Sequence, residues 1–212
     1  YEIRLSLVGL EMCIRDRKET AQNYSIGIEQ DLWKRGLFEV YFFYTDYDSY
    51  FFDNADVVGT SDAYAMGIEA AVDIRPLDWL RLRGSYAWTR ARDEVRNVPL
   101  PNRPTQRFTF IGDVEPLKRL NLQLRINVVQ TRYWGTNTAL TFIDANGVAS
   151  NGKLKPYVKM DFAATYTLEL KKIAQSIEIG GKIENILNQD YQERFGSPMP
   201  GINFLAGANV NF

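Results

Sequence analysis

Two pairs of acidic residues have a spacing that could coordinate a cation. Asp46 and Asp48 are separated by one residue, and Asp53 and Asp56 by two. Carboxylate oxygens are the ligands that hard cations such as Ca²⁺ prefer. Both pairs lie in or beside a stretch rich in Asp, Asn and Ser, so the acidity of an ordinary loop explains them more simply. The sequence therefore predicts no metal site and no cofactor.

Catalytic chemistry is limited by the absence of histidine from all 212 residues. Histidine is the usual partner of a nucleophile and the commonest general base. Carboxylate-only catalysis stays open as an alternative. Gly27 and Gly67 are not followed by a helix-like segment, so they do not form a phosphate-binding loop. We predict that the protein is not an enzyme and that it has no catalytic residue.

Composition points to β-structure rather than to a nucleic-acid partner. Hydrophobic residues make up 45% of the chain and aromatic residues 13%, which is rich in strand formers. Lys and Arg number 25 against 26 for Asp and Glu, so no basic excess suggests nucleic-acid binding. Cys13 is the only cysteine, so a disulfide within the chain is excluded.

The first 17 residues differ in pattern from the rest. They contain no apolar run of the kind found in a signal peptide. The stretch "SLVGLEMCIRDR" resembles translated sequencing-adapter read-through. We therefore expect residues 1–17 to be a non-native or artefactual leader and residues 18–212 to be the structured domain, although 1–17 could also be a genuine strand.

Nine segments after residue 18 alternate with a period of two, as half-buried strands do. In residues 80–89, for example, Leu80 and Leu82 share one side, and Arg81 and Arg83 share the other. Most segments are close to the ~9–11 residues with which a tilted strand crosses a bilayer. No run approaches the roughly 18–20 apolar residues of a membrane-spanning helix. The nine segments are residues 21–31, 37–47, 63–75, 80–91, 106–115, 120–133, 157–169, 176–187 and 202–212.

The connections alternate in length along the chain. Short connections occupy residues 32–36, 76–79, 116–119 and 170–175, and long ones residues 48–62, 92–105, 133–155 and 188–201. Outer-membrane barrels have short periplasmic turns and long extracellular loops. Aromatic residues also gather near the strand ends, where such barrels carry girdles: Trp33, Tyr44, Tyr47, Trp79, Tyr86, Trp88, Tyr133 and Trp134. The pattern predicts an all-β, antiparallel transmembrane β-barrel, with the aromatic core of a soluble protein as the alternative.

Four motifs resemble the carboxy-terminal barrel of the TonB-dependent outer-membrane receptors. They are "KETAQNYSIGIE" (18–29), "AYAMGIEAAVDIRPLDWLRLRGSYAWTRAR" (63–92), "VPLPNRPTQRF" (98–108) and "KIENILNQDYQERFGSPMPGINFLAGANVNF" (182–212). The last is the most specific. The resemblance covers residues 18–212 and implies about nine strands of a twenty-two-stranded barrel, without the plug domain or the segment that engages TonB.

The resemblance implies a transporter in the outer membrane of a Gram-negative bacterium. Its function would be energised uptake of a scarce ligand such as an iron-siderophore complex, haem, a cobalamin or a glycan. Its partners would be outer-membrane lipid, the TonB complex through the missing amino-terminal part, and the barrel-assembly machinery. Phe212 would be the terminal aromatic signal that this machinery reads.

Loop residues with suitable chemistry are the candidates for ligand binding, because guanidinium groups and aromatic faces suit anionic metal chelates. Ordinary solvated loop chemistry is the simpler explanation for each. Arg81, Arg83 and Arg125 are expected to line a polar lumen with Glu69, Asp73 and Asp113 rather than to bind the ligand. The candidates are Arg92, Arg96, Arg103, Tyr133, Trp134 and Arg194.

Two other classes of protein remain open from the sequence. A passive porin or an adhesin barrel would have more strands upstream but no plug. A lipocalin-like soluble binding barrel would be a complete eight-stranded domain with its apolar side turned inward.

Overall fold

The computed structural model describes residues 19–32, 35–54, 57–134, 142–143, 149–150, 152–170 and 176–211. No helix in this part of the chain is long and apolar enough to cross a membrane. Residues 1–17 and Phe212 lie outside the described residues, so the predicted leader and assembly signal stay predictions.

Sixteen β-strands make up the regular structure of the described residues. In chain order they are β1 (Thr20–Leu32), β2 (Gly36–Asn54), β3 (Val57–Leu77), β4 (Leu80–Asp93), β5 (Val98–Pro99), β6 (Gln106–Leu117), β7 (Leu120–Val129), β8 (Arg132–Tyr133), β9 (Phe142–Ile143), β10 (Ala149–Ser150), β11 (Lys153–Leu154), β12 (Tyr157–Glu169), β13 (Ser176–Glu184), β14 (Gln192–Arg194), β15 (Ser197–Pro198) and β16 (Asn203–Asn211).

The nine long strands form one antiparallel sheet in the order β1-β2-β3-β4-β6-β7-β12-β13-β16. Each long strand pairs with the next long strand along the chain, which is the meander expected of an up-and-down barrel. In the described residues β1 and β16 stand at opposite ends of this sheet and do not pair with each other, so the barrel is open. The prediction of an all-β antiparallel fold with nine main strands is confirmed.

The strand register sorts side chains onto two faces of different chemistry. Asp73 pairs with Arg83, and Arg81 pairs with Asp113, so charged residues lie beside one another on one side, which we call the polar face. Ile74 pairs with Leu82 and, three strands further on, Leu122 pairs with Ala164, on the opposite, apolar face. Adjacent strands are aligned so that the period-two pattern of each matches that of its neighbour.

Two glycines of the polar face explain the repeated Gly-Ile-Glu motif. A Cβ atom at Gly27 would lie 2.1 Å from Cδ1 of Tyr41, and one at Gly67 would lie 2.7 Å from Cε1 of Phe43. Each aromatic ring therefore covers a glycine on the neighbouring strand. A ring that covers a strand glycine shields the backbone there, a device that designed sheets also use.

The β2–β3 hairpin differs from the prediction, which assigned residues 48–62 to a loop. In the structure β2 continues to Asn54 and β3 begins at Val57. A register shift between Tyr47 and Tyr50 accompanies a positive φ of 58° at Ser49. The segment is rich in Tyr, Phe and Val, and their strand preference outweighs that of the Gly, Asn and Asp residues among them.

Long connections follow β4, β7 and β13, and we call the edge of the sheet that carries them the long-loop rim. Turns of two residues join β3 to β4 and β6 to β7 at the opposite edge, the short-turn rim. At the long-loop rim the polar face becomes apolar and buried. Tyr47 lies here on the polar face, packed near Ala63, Ala65 and Leu100, so its assignment to a lipid-facing girdle is wrong.

Candidate functional site

The six predicted binding residues all lie at the long-loop rim, but the structure uses them differently. Tyr133, Trp134 and Arg194 belong to one folded group of loops. Arg92 lies near the end of β4, and Arg96 lies in the connection between β4 and β6. Arg103 is exposed in the same connection, directly after Asn102, whose backbone N–H donates to the carbonyl of Tyr133 at 2.5 Å.

An aromatic pair joins two different loops at this rim. The rings of Trp134 and Phe195 are stacked, with centroids 3.9 Å apart and planes 10° apart. Tyr133 and Lys153 pair through β8 and β11, and the Lys153 ammonium lies 5.5 Å from the Tyr133 ring centroid. Arg194 is exposed immediately before Phe195. Neither Phe195 nor Lys153 was predicted from the sequence, because only tertiary structure brings them to Trp134 and Tyr133.

Arg132, two residues before Trp134, was also missed. It is 4% exposed. Its Nη1 and Nη2 atoms donate to the backbone carbonyls of Glu193 and Gln192 at 3.2 and 2.6 Å. The guanidinium carbon lies 5.1 Å from the ring centroid of Tyr157. One buried side chain thus connects β8, β12 and the connection before β16.

Two tyrosines complete the base of this group. The rings of Tyr157 and Tyr191 are stacked, with centroids 4.2 Å apart, and they pack with Val129 and Met199. The Tyr157 hydroxyl donates to Glu193 Oε1 at 3.3 Å. Burial raises the pKa of the Tyr191 hydroxyl above its ordinary value.

Arg92 and Arg96 help to fold their own loop. The Asp93 carboxylate is 2% exposed and accepts hydrogen bonds from Ser61 Oγ and the Arg96 backbone N–H, both at 2.8 Å. Arg96 Nε lies 3.3 Å from Asp93 Oδ2. Arg92 Nη2 donates to the Asn97 carbonyl at 2.6 Å. The contacts described for these two arginines are therefore internal to the protein.

Asparagine side chains close the connection between β13 and β16. Asn185 is 0% exposed, and its Nδ2 donates to the carbonyls of Gln189 at 3.0 Å and Pro200 at 3.2 Å. Its Oδ1 accepts the Gln189 N–H at 3.0 Å. Asn188 Oδ1 accepts the Ile202 N–H at 2.9 Å. Both asparagines belong to the closing motif quoted above, which was the available sequence signal.

The middle of the polar face carries ion pairs between neighbouring strands. Arg81 pairs with Asp73, and Arg83 Nη2 lies 2.7 Å from Asp113 Oδ2. Gln123 Nε2 donates to the other oxygen of Asp113 at 2.7 Å. Arg81, Arg83, Asp73 and Asp113 share one face of the sheet, as expected for the wall of a polar lumen, and Arg125 lies opposite Asp161 in the register.

In the part of the chain that the structure describes, no group of three or more His, Cys, Asp or Glu residues is placed to hold an ion. Asp46 and Asp48 are both exposed on β2. Asp56 lies outside the described residues, so the Asp53–Asp56 pair has no structural description.

Comparisons with known proteins agree with this architecture. The family model described as TonB dependent receptor-like, beta-barrel matches residues 16–186, which is more than half of the chain. A search of curated protein sequences found no match.

Three solved structures illustrate the likeness in fold. The ferric-catecholate import receptor Fiu of E. coli K12 is 19% identical, with a TM-score of 0.69 over 92% of this chain and 28% of that one. The ferripyoverdine receptor of Pseudomonas aeruginosa is 14% identical, with a TM-score of 0.68 over 90% of this chain and 27% of that one. The copper transporter OprC is 13% identical, with a TM-score of 0.70 over 92% of this chain and 31% of that one. The chain thus spans about a third or less of the length of each.

Proposed function

The chain belongs to the family of TonB-dependent receptor β-barrels, and from this premise we propose that the full-length protein imports a scarce ligand across the outer membrane with energy delivered through TonB. The ligand class that we propose is an anionic iron chelate of the siderophore type. The observation that carries the proposal is the family match over residues 16–186, on a sheet whose long-loop rim presents aromatic and cationic side chains.

The two faces of the sheet support a membrane location. Ile26 on β1 and Phe204 on β16 both lie on the apolar face and are 74% and 72% exposed. At these two positions the described residues leave large apolar side chains uncovered. Lipid is the natural cover for such a face, and an aqueous lumen suits the ion-paired polar face. We therefore place the chain in the outer membrane of a Gram-negative bacterium, with the long-loop rim outside the cell.

Ligand capture is assigned to the long-loop rim. Trp134 and Phe195 offer a stacked aromatic surface, and Arg194 offers an exposed guanidinium group beside it. Charge-assisted contacts from Arg suit carboxylate or other anionic oxygens of a chelate. The other predicted residues, Arg92, Arg96, Arg103 and Tyr133, remain proposed ligand contacts, although the contacts described for Arg92 and Arg96 lie within the protein. The TonB complex and the barrel-assembly machinery, with Phe212 as its signal, remain proposed partners of the full-length receptor.

Related receptors make an iron chelate the first ligand to test. Two of the compared structures are named for ferric-catecholate and ferripyoverdine, and the third for copper. Because identities of 13–19% show the fold alone, the choice among these ligands has to come from experiment.

The experiment measures uptake of radioactive iron as a ferric catecholate complex and as a ferric pyoverdine complex. Cells lacking their own receptors would express the full-length receptor, with and without a functional TonB. We expect saturable uptake of one complex, lost without TonB. Uptake that persists without TonB would indicate a passive porin instead. A double variant, Trp134→Ala with Arg194→Ala, should weaken binding by at least about tenfold, whereas Arg119→Ala at the short-turn rim should not.

A further inference from the structure

We propose that Arg132 is a positioning residue: it fixes the connection before β16 against the loop after β7, so that Trp134, Phe195 and Arg194 form one ligand-binding surface. This inference rests on the proposed function and adds to it the residue that orders the binding surface. Arg132 does not itself belong to the surface, since it is 4% exposed.

The first support is the set of groups that Arg132 binds. Both of its terminal nitrogens donate to consecutive backbone carbonyls, those of Gln192 and Glu193. Hydrogen bonds to backbone carbonyls hold the chain itself in place. These two bonds therefore hold the backbone directly before Arg194 and Phe195. A lysine in this place has one nitrogen on a flexible stem and cannot reproduce the fork of a guanidinium group.

The second support is the way in which the charge is buried. In the described part of the chain no ion pair includes Arg132, and its Nε has no hydrogen-bond partner. A buried charge without a direct ion pair depends on the groups that do surround it. For Arg132 these are the two carbonyls and the face of Tyr157, which is stacked on Tyr191. If the connection before β16 moved away, the guanidinium would lose both carbonyls at once.

The third support is the direct link to the aromatic pair. Trp134 follows Arg132 by two residues, and Phe195 follows Glu193 by two. The Trp134 backbone N–H donates to the Gly152 carbonyl at 2.9 Å, which fixes the loop after β7 independently of the connection before β16. Arg132 therefore joins a loop that is held by β11 to a segment that carries Phe195.

The experiment compares the full-length receptor with its Arg132→Met, Arg132→Lys and Tyr157→Phe variants in detergent micelles. The matched control is Arg119→Met, which removes an exposed arginine that pairs with Glu169 at the opposite rim. One readout is the rate of tryptic cleavage after Arg194, with cleavage after the exposed Arg35 at the short-turn rim as the internal reference. A second is the fluorescence of Trp134, taken as the difference between each variant and the same variant carrying Trp134→Phe.

We expect Arg132→Met to speed cleavage after Arg194 by about tenfold or more, because two charge-assisted hydrogen bonds are lost. It should also change the Trp134 emission and weaken binding of the ferric complex by about tenfold, while the unfolding temperature of the barrel stays the same. Arg132→Lys should restore part of each change. Tyr157→Phe should have a smaller effect, because it loses only the bond to Glu193, and Arg119→Met none.

Unchanged cleavage and unchanged Trp134 emission in Arg132→Met would overturn the inference, whatever the receptor transports. A lower unfolding temperature, together with changes in cleavage, Trp134 emission and ligand binding, would assign Arg132 to barrel stability and overturn the inference as well. Absence of iron uptake in the unmodified receptor would instead refute the proposed function. In that case the cleavage and fluorescence measurements still decide whether Arg132 holds the loop.

Discussion

The middle of the polar face and its end at the long-loop rim contain similar polar residues in different surroundings. In the middle, the side chains of Arg83 and Asp113 keep 36% and 15% of their surface exposed. At the rim, Asp93 and Asn185 are 2% and 0% exposed, because the long connections fold over the sheet. The same kinds of hydrogen bond are therefore made in contact with water in one region and away from it in the other.

This difference determines how much each polar group should contribute to stability. A partner lost near water is replaced by water, and part-exposed ion pairs contribute little. A partner lost in a buried site leaves a donor or acceptor unsatisfied, at a cost of about 1–3 kcal/mol for each group. Polar residues at the long-loop rim should accordingly be the sensitive ones. The following predictions refer to the full-length receptor in detergent micelles.

The largest effect is expected for Asn185→Ala. It removes three hydrogen bonds to Gln189 and Pro200. Asn185 also has a positive φ of 51°, which alanine adopts less readily. We expect a loss of about 3–4 kcal/mol in the free energy of opening the β13–β16 connection. Hydrogen exchange at the Gln189 amide measures it, and Asn188→Ala, which removes one bond from an exposed side chain to the Ile202 N–H, should lose less. Unchanged exchange would contradict the contrast between the regions.

A matched pair of aspartates provides the most direct comparison. Asp93→Ala should destabilise the receptor by about 3 kcal/mol, since Ser61 and Arg96 lose a buried partner. Asp113→Ala should cost only about 1 kcal/mol, because water can reach Arg83 and Gln123. Urea unfolding measures both. Equal losses of unfolding free energy for the two variants would show that burial does not make the polar groups of the long-loop rim more important for stability.

Gly67→Ala tests the packing of β3 against its neighbouring strands rather than the loss of a polar group. Its Cβ would lie 2.3 Å from the Trp88 carbonyl oxygen and 2.7 Å from the ring of Phe43. We expect a loss of about 2 kcal/mol in the unfolding free energy from overpacking. Gly207→Ala is the control, since nothing lies within 4 Å of its Cβ position. A Gly67→Ala variant as stable as the Gly207→Ala variant would contradict the prediction. It would show that β2 and β4 move apart enough to accept the methyl group without a cost in stability.

The smallest effect is expected at the short-turn rim. Arg35 Nη1 lies 3.1 Å from Asp78 Oδ1, but the two side chains are 57% and 92% exposed. Arg35→Met should change the unfolding free energy by less than about 0.5 kcal/mol. Unfolding in urea at low and at high salt measures this. A loss above about 1 kcal/mol would show that exposed pairs matter here as much as buried groups.

Prediction from sequence succeeded for the strands and was less complete for the site. Alternation with a period of two located all nine long strands, because strand residues must face opposite sides. It failed at residues 48–62, where Tyr, Phe and Val extend β2 and β3 beyond the predicted strand ends. Loop residues carry no such period. Tyr133, Trp134 and Arg194 were singled out by their chemistry, but the role of Arg92 and Arg96 within their own loop was not evident.

The sequence by itself determined the sheet, because its alternation and its charge pattern arise from constraints that act along a strand. Only the tertiary structure decided the contacts between loops, such as Trp134 with Phe195 and Arg132 with Gln192 and Glu193. These partners lie about sixty residues apart in sequence, as the separations of 60 and 61 for the Arg132 bonds show. No local preference connects residues at that distance, so they meet only once the intervening strands have paired.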